Sequence, residues 1–195
     1  MKKWGPIAIV ATSVLLVGSF FIPKDSSSTK DALIRCFETS IIEFNEASLE
    51  TKITIEDEVV YVETVNIVKT DEGSNYTSTI TELSDSLLDE EMYKTSTSTG
   101  TCTKEETIGL LGAVASLDSS VITNVEKLPT GTDSYVVRFT ILNKDLDQTF
   151  GDGMASKING NIKFEAQIVE GMVKEYKYSF IYTTGTSVLV VGEFK

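Results

Sequence analysis

Apolar residues in this chain change their spacing from one stretch to the next. Between residues 30 and 46, Leu33, Phe37, Ile41 and Phe44 recur three or four apart, the period of a helix with one apolar face. Ser28 followed by Asp31 resembles a capping box and predicts the start of that helix. After Ala47 the period drops to two. The stretch ETKITIEDEVVYVETVNIVKTDEGSNYTSTITELSD is rich in Val, Ile, Thr and Tyr and reads as two or three strands. Asp71-Glu72-Gly73-Ser74-Asn75 supplies turn chemistry between them. A further strand is expected over Glu91–Thr97, running into the Ser/Thr stretch TSTSTGTCT as a solvent-facing strand end.

Thr103 and Glu106 form a second capping box, which predicts a helix near 105–117. Ile108, Leu111 and Ala115 line one side of it, and Leu110, Val114 and Leu117 widen the stripe. The clearest alternation lies further on. Tyr135, Val137, Phe139 and Ile141 form one set, Ile162, Phe164, Ala166 and Ile168 another, and Tyr176, Tyr178, Phe180 and Tyr182 a third. Polar residues occupy most positions between them, and Ile181 is the exception. Period two means one buried face and one wet face. Gly171 and Thr184-Gly185-Thr186 provide short turns, so the last three strands should form an antiparallel meander. The final strand, SVLVVGEF, is apolar on both sides. Between Ile141 and Ile162, the glycines of Gly151-Asp152-Gly153 interrupt a weak helical pattern, and a loop with one or two helical turns crossing the sheet is expected.

Ahead of this domain, Trp4–Pro23 is twenty residues without a charge, preceded by Lys2 and Lys3. Twenty helical residues span roughly 30 Å, the thickness of a bilayer core. The leading lysines place the N-terminus inside and the rest outside. Residues 1–23 are therefore expected to be a membrane anchor, 24–29 a polar tether and 30–195 an extracytoplasmic domain. A cleaved signal is the rival reading, because Val17-Gly18-Ser19 offers small residues at a cleavage position, and the protein would then be secreted. A lipobox in which Ser19 replaces the lipidated cysteine is the third.

The chain has 195 residues and a net charge of −12, and the excess of acid is greater still once Lys2 and Lys3 are set aside. That balance opposes binding to nucleic acid or to anionic headgroups. Two cysteines, Cys36 and Cys102, fall on the predicted outer side. An even count in an oxidising compartment predicts one disulfide, closing a loop of some 65 residues and stabilising by about 4 kcal/mol on the chain-entropy model. Two separate buried thiols are the alternative. With no histidine in the chain, the usual triads and zinc-peptidase motifs are excluded. No metal site, cofactor or enzymatic activity is expected. Asp145, Asp147 and Asp152 do not have calcium-loop spacing. Asn75-Tyr76-Thr77 is a glycosylation sequon.

The fold class implied is α+β: an N-terminal membrane helix, then a curled antiparallel sheet of about 8–9 strands, a half β-barrel covered by two or three helices. Nine strands about 4.8 Å apart would make a sheet roughly 40 Å wide. Three helices of about 10 Å each would cover less than that. The apolar face exceeds its lid unless the sheet curls, and a curled sheet lined by aromatic residues is a concave site.

The element order of anchor, helix, antiparallel strands, helix, strands, helical crossing and three-stranded meander resembles the half-barrel lipoprotein carriers. These include the LolA and LolB localisation factors and the mycobacterial LppX and LprG group. The resemblance implies an unclosed barrel that binds acyl chains or lipidated proteins. The expected ligand-binding residues are Tyr135, Val137, Phe139, Ile141, Ile162, Phe164, Ile168, Tyr176, Tyr178, Phe180 and Tyr182. The expected function is a membrane-anchored protein that carries a lipid-like ligand. The alternative is a tethered NTF2-like or cystatin-like interaction module with a protein partner in a cell-envelope assembly.

Overall fold

In the computed structural model, residues 27–83 and 93–195 are described. Helix α1 (Ser27–Glu43) leads into β1 (Glu46–Ile55), β2 (Glu58–Lys69), β3 (Gly73–Leu83) and β4 (Tyr93–Thr103). Helix α2 (Lys104–Leu110) and a 3₁₀ turn (Gly112–Ser116) cross to β5 (Ile122–Pro129) and β6 (Ser134–Ile141). A second crossing holds a 3₁₀ turn (Asn143–Asp145), α3 (Leu146–Phe150) and α4 (Met154–Lys157), before β7 (Ile162–Val169), β8 (Met172–Ile181) and β9 (Ser187–Phe194). All nine strands belong to one open antiparallel sheet, in the order β4-β3-β2-β1-β9-β8-β7-β6-β5. The first four strands walk outward in one direction from β1. The last five walk inward from the opposite edge, and β9 ends beside β1.

Tight turns set these registers. The β1–β2 hairpin turns through Glu56 and Asp57 at φ 51° and 66°, the two positive values of a type I′ turn. Glu170 and Gly171 do the same between β7 and β8, at φ 52° and 78°. Gly151 and Gly153, at φ 96° and 82°, separate α3 from α4, as the interrupted pattern there predicts.

The helices lie on one face of the sheet. The Phe37 ring of α1 meets Phe139 at 6.4 Å and Tyr176 at 6.0 Å, both edge-on. The Phe150 ring of α3 meets Tyr178 at 5.7 Å and Phe180 at 6.2 Å. Helix α2 opens with the predicted capping box, in which the Glu106 N–H donates to the Thr103 hydroxyl and the Thr103 N–H donates to the Glu106 carboxylate. Thr107 then reaches Ser74 of β3, with the two hydroxyls 2.6 Å apart. That helix is shorter than the predicted 105–117. Gly112 takes φ 65°, which breaks the α-helical path, and residues 112–116 tighten into the 3₁₀ turn. Helix α1 already includes Ser27, so Ser28 lies within it rather than at its cap. The Ser/Thr stretch is also more regular than expected, since all of Tyr93–Thr103 pairs with β3.

One further expectation needs correction, and another falls on residues that are not described. Cys36 and Cys102 are free thiols, not a disulfide. Cys36 sits on α1 with its sulfur 4.0 Å from the Tyr135 hydroxyl of β6, whereas Cys102 pairs with Ser74 on the strand at the far edge of the sheet. They lie along the same face but against strands near its two opposite edges. Among the described residues no helix is long and apolar enough to cross a membrane. The anchor expected over 1–23 lies outside the described residues.

Ser40 ties α1 to the sheet. Its hydroxyl accepts from the Val173 N–H at 2.8 Å and lies 3.1 Å from the Val173 carbonyl and 2.9 Å from the Cys36 carbonyl. Ser40 and Val173 are both buried, so no water replaces a lost partner. Ser40→Ala should lower the unfolding free energy by about 1–3 kcal/mol, the cost of an unsatisfied buried amide. A urea titration followed by circular dichroism measures it.

Candidate functional site

Antiparallel registers carry rows of side chains across the helix-bearing face from β6 to the β4 edge. One row runs Phe139, Phe164, Tyr178, Val190, Thr51, Glu63, Ile80 and Ser96. The next runs Val137, Ala166, Tyr176, Gly192, Leu49, Val65, Ser78 and Ser98. Each row begins aromatic or aliphatic and ends polar. The face therefore has two halves of different chemistry joined at β9 and β1.

All eleven residues predicted as ligand-binding lie in the half formed by β6, β7 and β8, with Tyr182 just past the end of β8. Eight of them, Val137, Phe139, Ile141, Ile162, Phe164, Ile168, Tyr176 and Tyr178, are buried, and three, Tyr135, Phe180 and Tyr182, are half-buried at its rim. Their rings engage one another. Phe139 stacks on Phe164 at 4.8 Å and Phe164 on Tyr178 at 4.6 Å. Phe180 meets Tyr182 edge-on at 5.2 Å. Tyr176 lies across Gly192 of the neighbouring strand, where a Cβ would come within 2.2 Å of the ring. Its hydroxyl reaches the Leu111 carbonyl at 3.5 Å, and burial raises the phenol far above its ordinary pKa. Burial likewise pushes the Tyr178 phenol up to about 12. Tyr135 is also pushed up to about 12 by burial, with Cys36 beside it as a further cause. The Lys127 ammonium sits 3.5 Å from the centre of the Tyr135 ring.

The other half is different. Leu49, Thr51 and Ile53 of β1, Tyr61 and Glu63 of β2, and Ile80 of β3 are only half-buried. Leu49 and Ile53 touch the edge of the core. Helix α1 packs mainly on β8 and β5 and α2 on β3 and β4, on either side of β1 and β2. Glu63 stands in the middle of this stretch. One of its carboxylate oxygens accepts from Ser78 at 2.9 Å and the other from Tyr61 at 3.1 Å. Burial, together with the hydrogen bond and charge of Glu63, raises the Tyr61 phenol. The result is a half-buried strip in which Leu49, Ile53 and Ile80 flank a fixed carboxylate. Such a surface can hold the chain of an amphiphile and hydrogen-bond its polar end.

Leu49, Ile53, Tyr61 and Glu63 escape sequence reasoning as site residues, although the alternation of Leu49, Thr51 and Ile53 is plain in SLETKITI. Their value depends on β9 lying beside β1, and no local signal reports that pairing. The opposite face is wet. Glu165 bridges Arg138 at 2.7 Å and Lys177 at 2.8 Å, and those two hydrogen bonds hold its carboxyl below the usual range. Exposed pairs of this kind contribute little to stability.

Fold and face together define a one-sheet antiparallel α+β protein whose helices lie on a single face, to either side of β1 and β2. No model of a known protein family matches the chain, and no curated protein matches it. Among solved structures it is similar to LprF from Mycobacterium bovis, with 7% identity and a TM-score of 0.46, over 87% of this chain and 93% of that one. Likeness at that level carries no functional conclusion, so the function must be read from the geometry of the face.

The two thiols differ in their setting. Cys36 is 8% exposed and its thiol is raised by burial, whereas Cys102 is half-buried near the sheet edge. Thiolate is the reactive form, so native protein at neutral pH should take up one equivalent of iodoacetamide promptly, at Cys102. Cys36 should react only after unfolding, as peptide mass mapping would reveal.

Proposed function

We propose that this protein binds a lipid-like amphiphile along the half-covered stretch of its helix-bearing face. The tail lies on Leu49, Ile53 and Phe180, and the polar end lies toward Glu63 and Tyr61. The observation that carries this reading is the half-exposed apolar strip, continuous with the aromatic core and flanking a hydrogen-bonded carboxylate. The sheet curls around the ligand; of the eleven positions expected from the sequence, the half-buried Phe180 and Tyr182 lie nearest the guest, and the buried ones form the packed floor beside it. The protein works outside the cytoplasm, held to the membrane by residues 1–23, and it has no catalytic role. Acyl chains or lipidated proteins are the ligand class that the resemblance to half-barrel carriers implies.

A second reading is favoured by one specific feature. The rings of Phe139, Phe164 and Tyr178 stack directly on one another, which suits a filled core and hence a tethered interaction module of an envelope assembly. Crosslinking in intact cells that captures a single stoichiometric protein would support that reading over the first.

Organic extracts of the natively purified protein should contain a lipid by mass spectrometry, and a fluorescent fatty acid should be taken up saturably. Neither result appearing would overturn the carrier reading. Ile53→Glu places a charge in the apolar strip and should weaken uptake by about tenfold or more, since desolvating a carboxylate exceeds about 1.4 kcal/mol. Val68→Glu is the control, because Val68 lies on the opposite face and is 48% exposed. It should leave uptake unchanged.

A further inference from the structure

The two edges of the sheet are built differently. The β5 edge is irregular: its register with β6 slips between Thr123 and Glu126, Asn124 takes φ 52°, and the strand ends at Pro129. Glu126 and Lys127 add charges there. A bulge, a proline and charges are the ordinary means by which a sheet edge resists pairing with another chain. The β4 edge has none of these. It runs eleven residues, Tyr93–Thr103, in unbroken register with β3, without proline and with Lys94 as its only charge. Nearly all of its residues are exposed, and among the described residues it pairs on one side only. A strand of that length, about 37 Å at 3.4 Å per residue, offers a row of backbone groups with no strand across from it among the described residues.

Its sequence has a mirror. Reading outward from Ser98, Thr97 matches Thr99, Ser96 stands opposite Gly100, and Thr95 matches Thr101. Antiparallel pairing of two copies about a two-fold axis at Ser98 would therefore set Thr against Thr on the outer face. Ser and Gly would meet one another on the helix-bearing face. Lys94 would fall opposite the partner's Cys102, so like charges do not meet. The outer threonines already show how such pairs engage: the hydroxyls of Thr81 and Thr95 lie 3.1 Å apart across β3 and β4, and those of Thr79 and Thr97 lie 3.4 Å apart. Pairing would extend the row from Thr64 through Thr79 and Thr97 into the second copy.

We infer that β4 is a self-pairing edge, joining two copies of this chain into one continuous antiparallel sheet with Ser98 on the two-fold axis. The contact is isologous, so it closes after two copies and does not propagate. The blunted β5 edge keeps the outer ends of the joined sheet from pairing further. Each helix-bearing face stays open, since the contact uses only the backbone and small side chains of β4.

The experiment uses the full chain in mild detergent. Sedimentation equilibrium should give twice the single-chain mass, whereas Ser98→Lys, which sets two ammonium groups against each other on the axis, should give the single-chain mass with unchanged circular dichroism. Because each copy is strongly acidic, raising ionic strength should favour the dimer. In a Cys102→Ser background, Ser98→Cys should oxidise to a crosslinked dimer and Asn66→Cys, exposed on β2, should not. A single-chain mass at every concentration would overturn the assignment. So would a dimer that survives Ser98→Lys, one that salt dissolves, or equal crosslinking at positions 66 and 98.

Discussion

The pairing of β9 with β1 is the constraint on which the rest depends. Each meander forms from neighbours in sequence, but this seam joins residues from the two ends of the domain, Ala47 with Phe194 through Thr54 with Ser187. Backbone hydrogen bonds close its end. The Glu46 N–H donates to the Lys195 carbonyl at 3.1 Å, and the Lys195 N–H donates to the Glu46 carbonyl at 2.8 Å. Phe44, at the end of α1, packs on Phe194 at 5.9 Å, so helix and seam lock together. Closing so long a loop costs conformational entropy, which the ladder and the burial of Ala47, Val188, Val190 and Phe194 offset. Without the seam there would be two partial sheets, each with an additional open edge.

Because the seam fixes register, it also decides which side chains share a face. It brings Val190 beside Thr51 and Gly192 beside Leu49, and so connects an aromatic half to an amphipathic half. Two tyrosines exploit glycines in the same way at separate places. Tyr176 lies over Gly192, and Tyr76 lies over Gly100, where a Cβ would come within 2.7 Å of the ring. A glycine beside a large ring lets the ring lie flat on the sheet and covers backbone that would otherwise be exposed. The first pair builds the core; the second finishes the strand next to the sheet edge.

Much of the local structure is legible in the chain itself. The alternation of Ile162, Phe164, Ala166 and Ile168, and of Tyr176, Tyr178 and Phe180, gives strands with the buried face expected. The meander of β7, β8 and β9 comes from the turns at Gly171 and Gly185. The capping box at Thr103 and Glu106 forms as read. Less is legible where composition misleads. TSTSTGTCT looks like a frayed end, because small hydroxylated residues carry no apolar period, yet pairing with β3 holds it as a full strand. Helix 105–117 reads as continuous because its apolar stripe is continuous, while the left-handed backbone of Gly112 interrupts it. A disulfide between the two cysteines is suggested by their even number and the expected compartment, and neither says anything about distance.

Of the candidate site, the sequence specified one wall and not the other. Period-two patterning by itself determined the strands, their buried faces and the clustering of the eleven aromatic and aliphatic positions, because alternation is a property of the extended backbone wherever it sits. Only the tertiary structure decided that β9 lies against β1, that Cys36 and Cys102 remain apart, and that Leu49, Ile53 and Glu63 continue the same face. Those outcomes depend on register between segments distant in the chain. Register is set by what packs across the seam, and no local period encodes that.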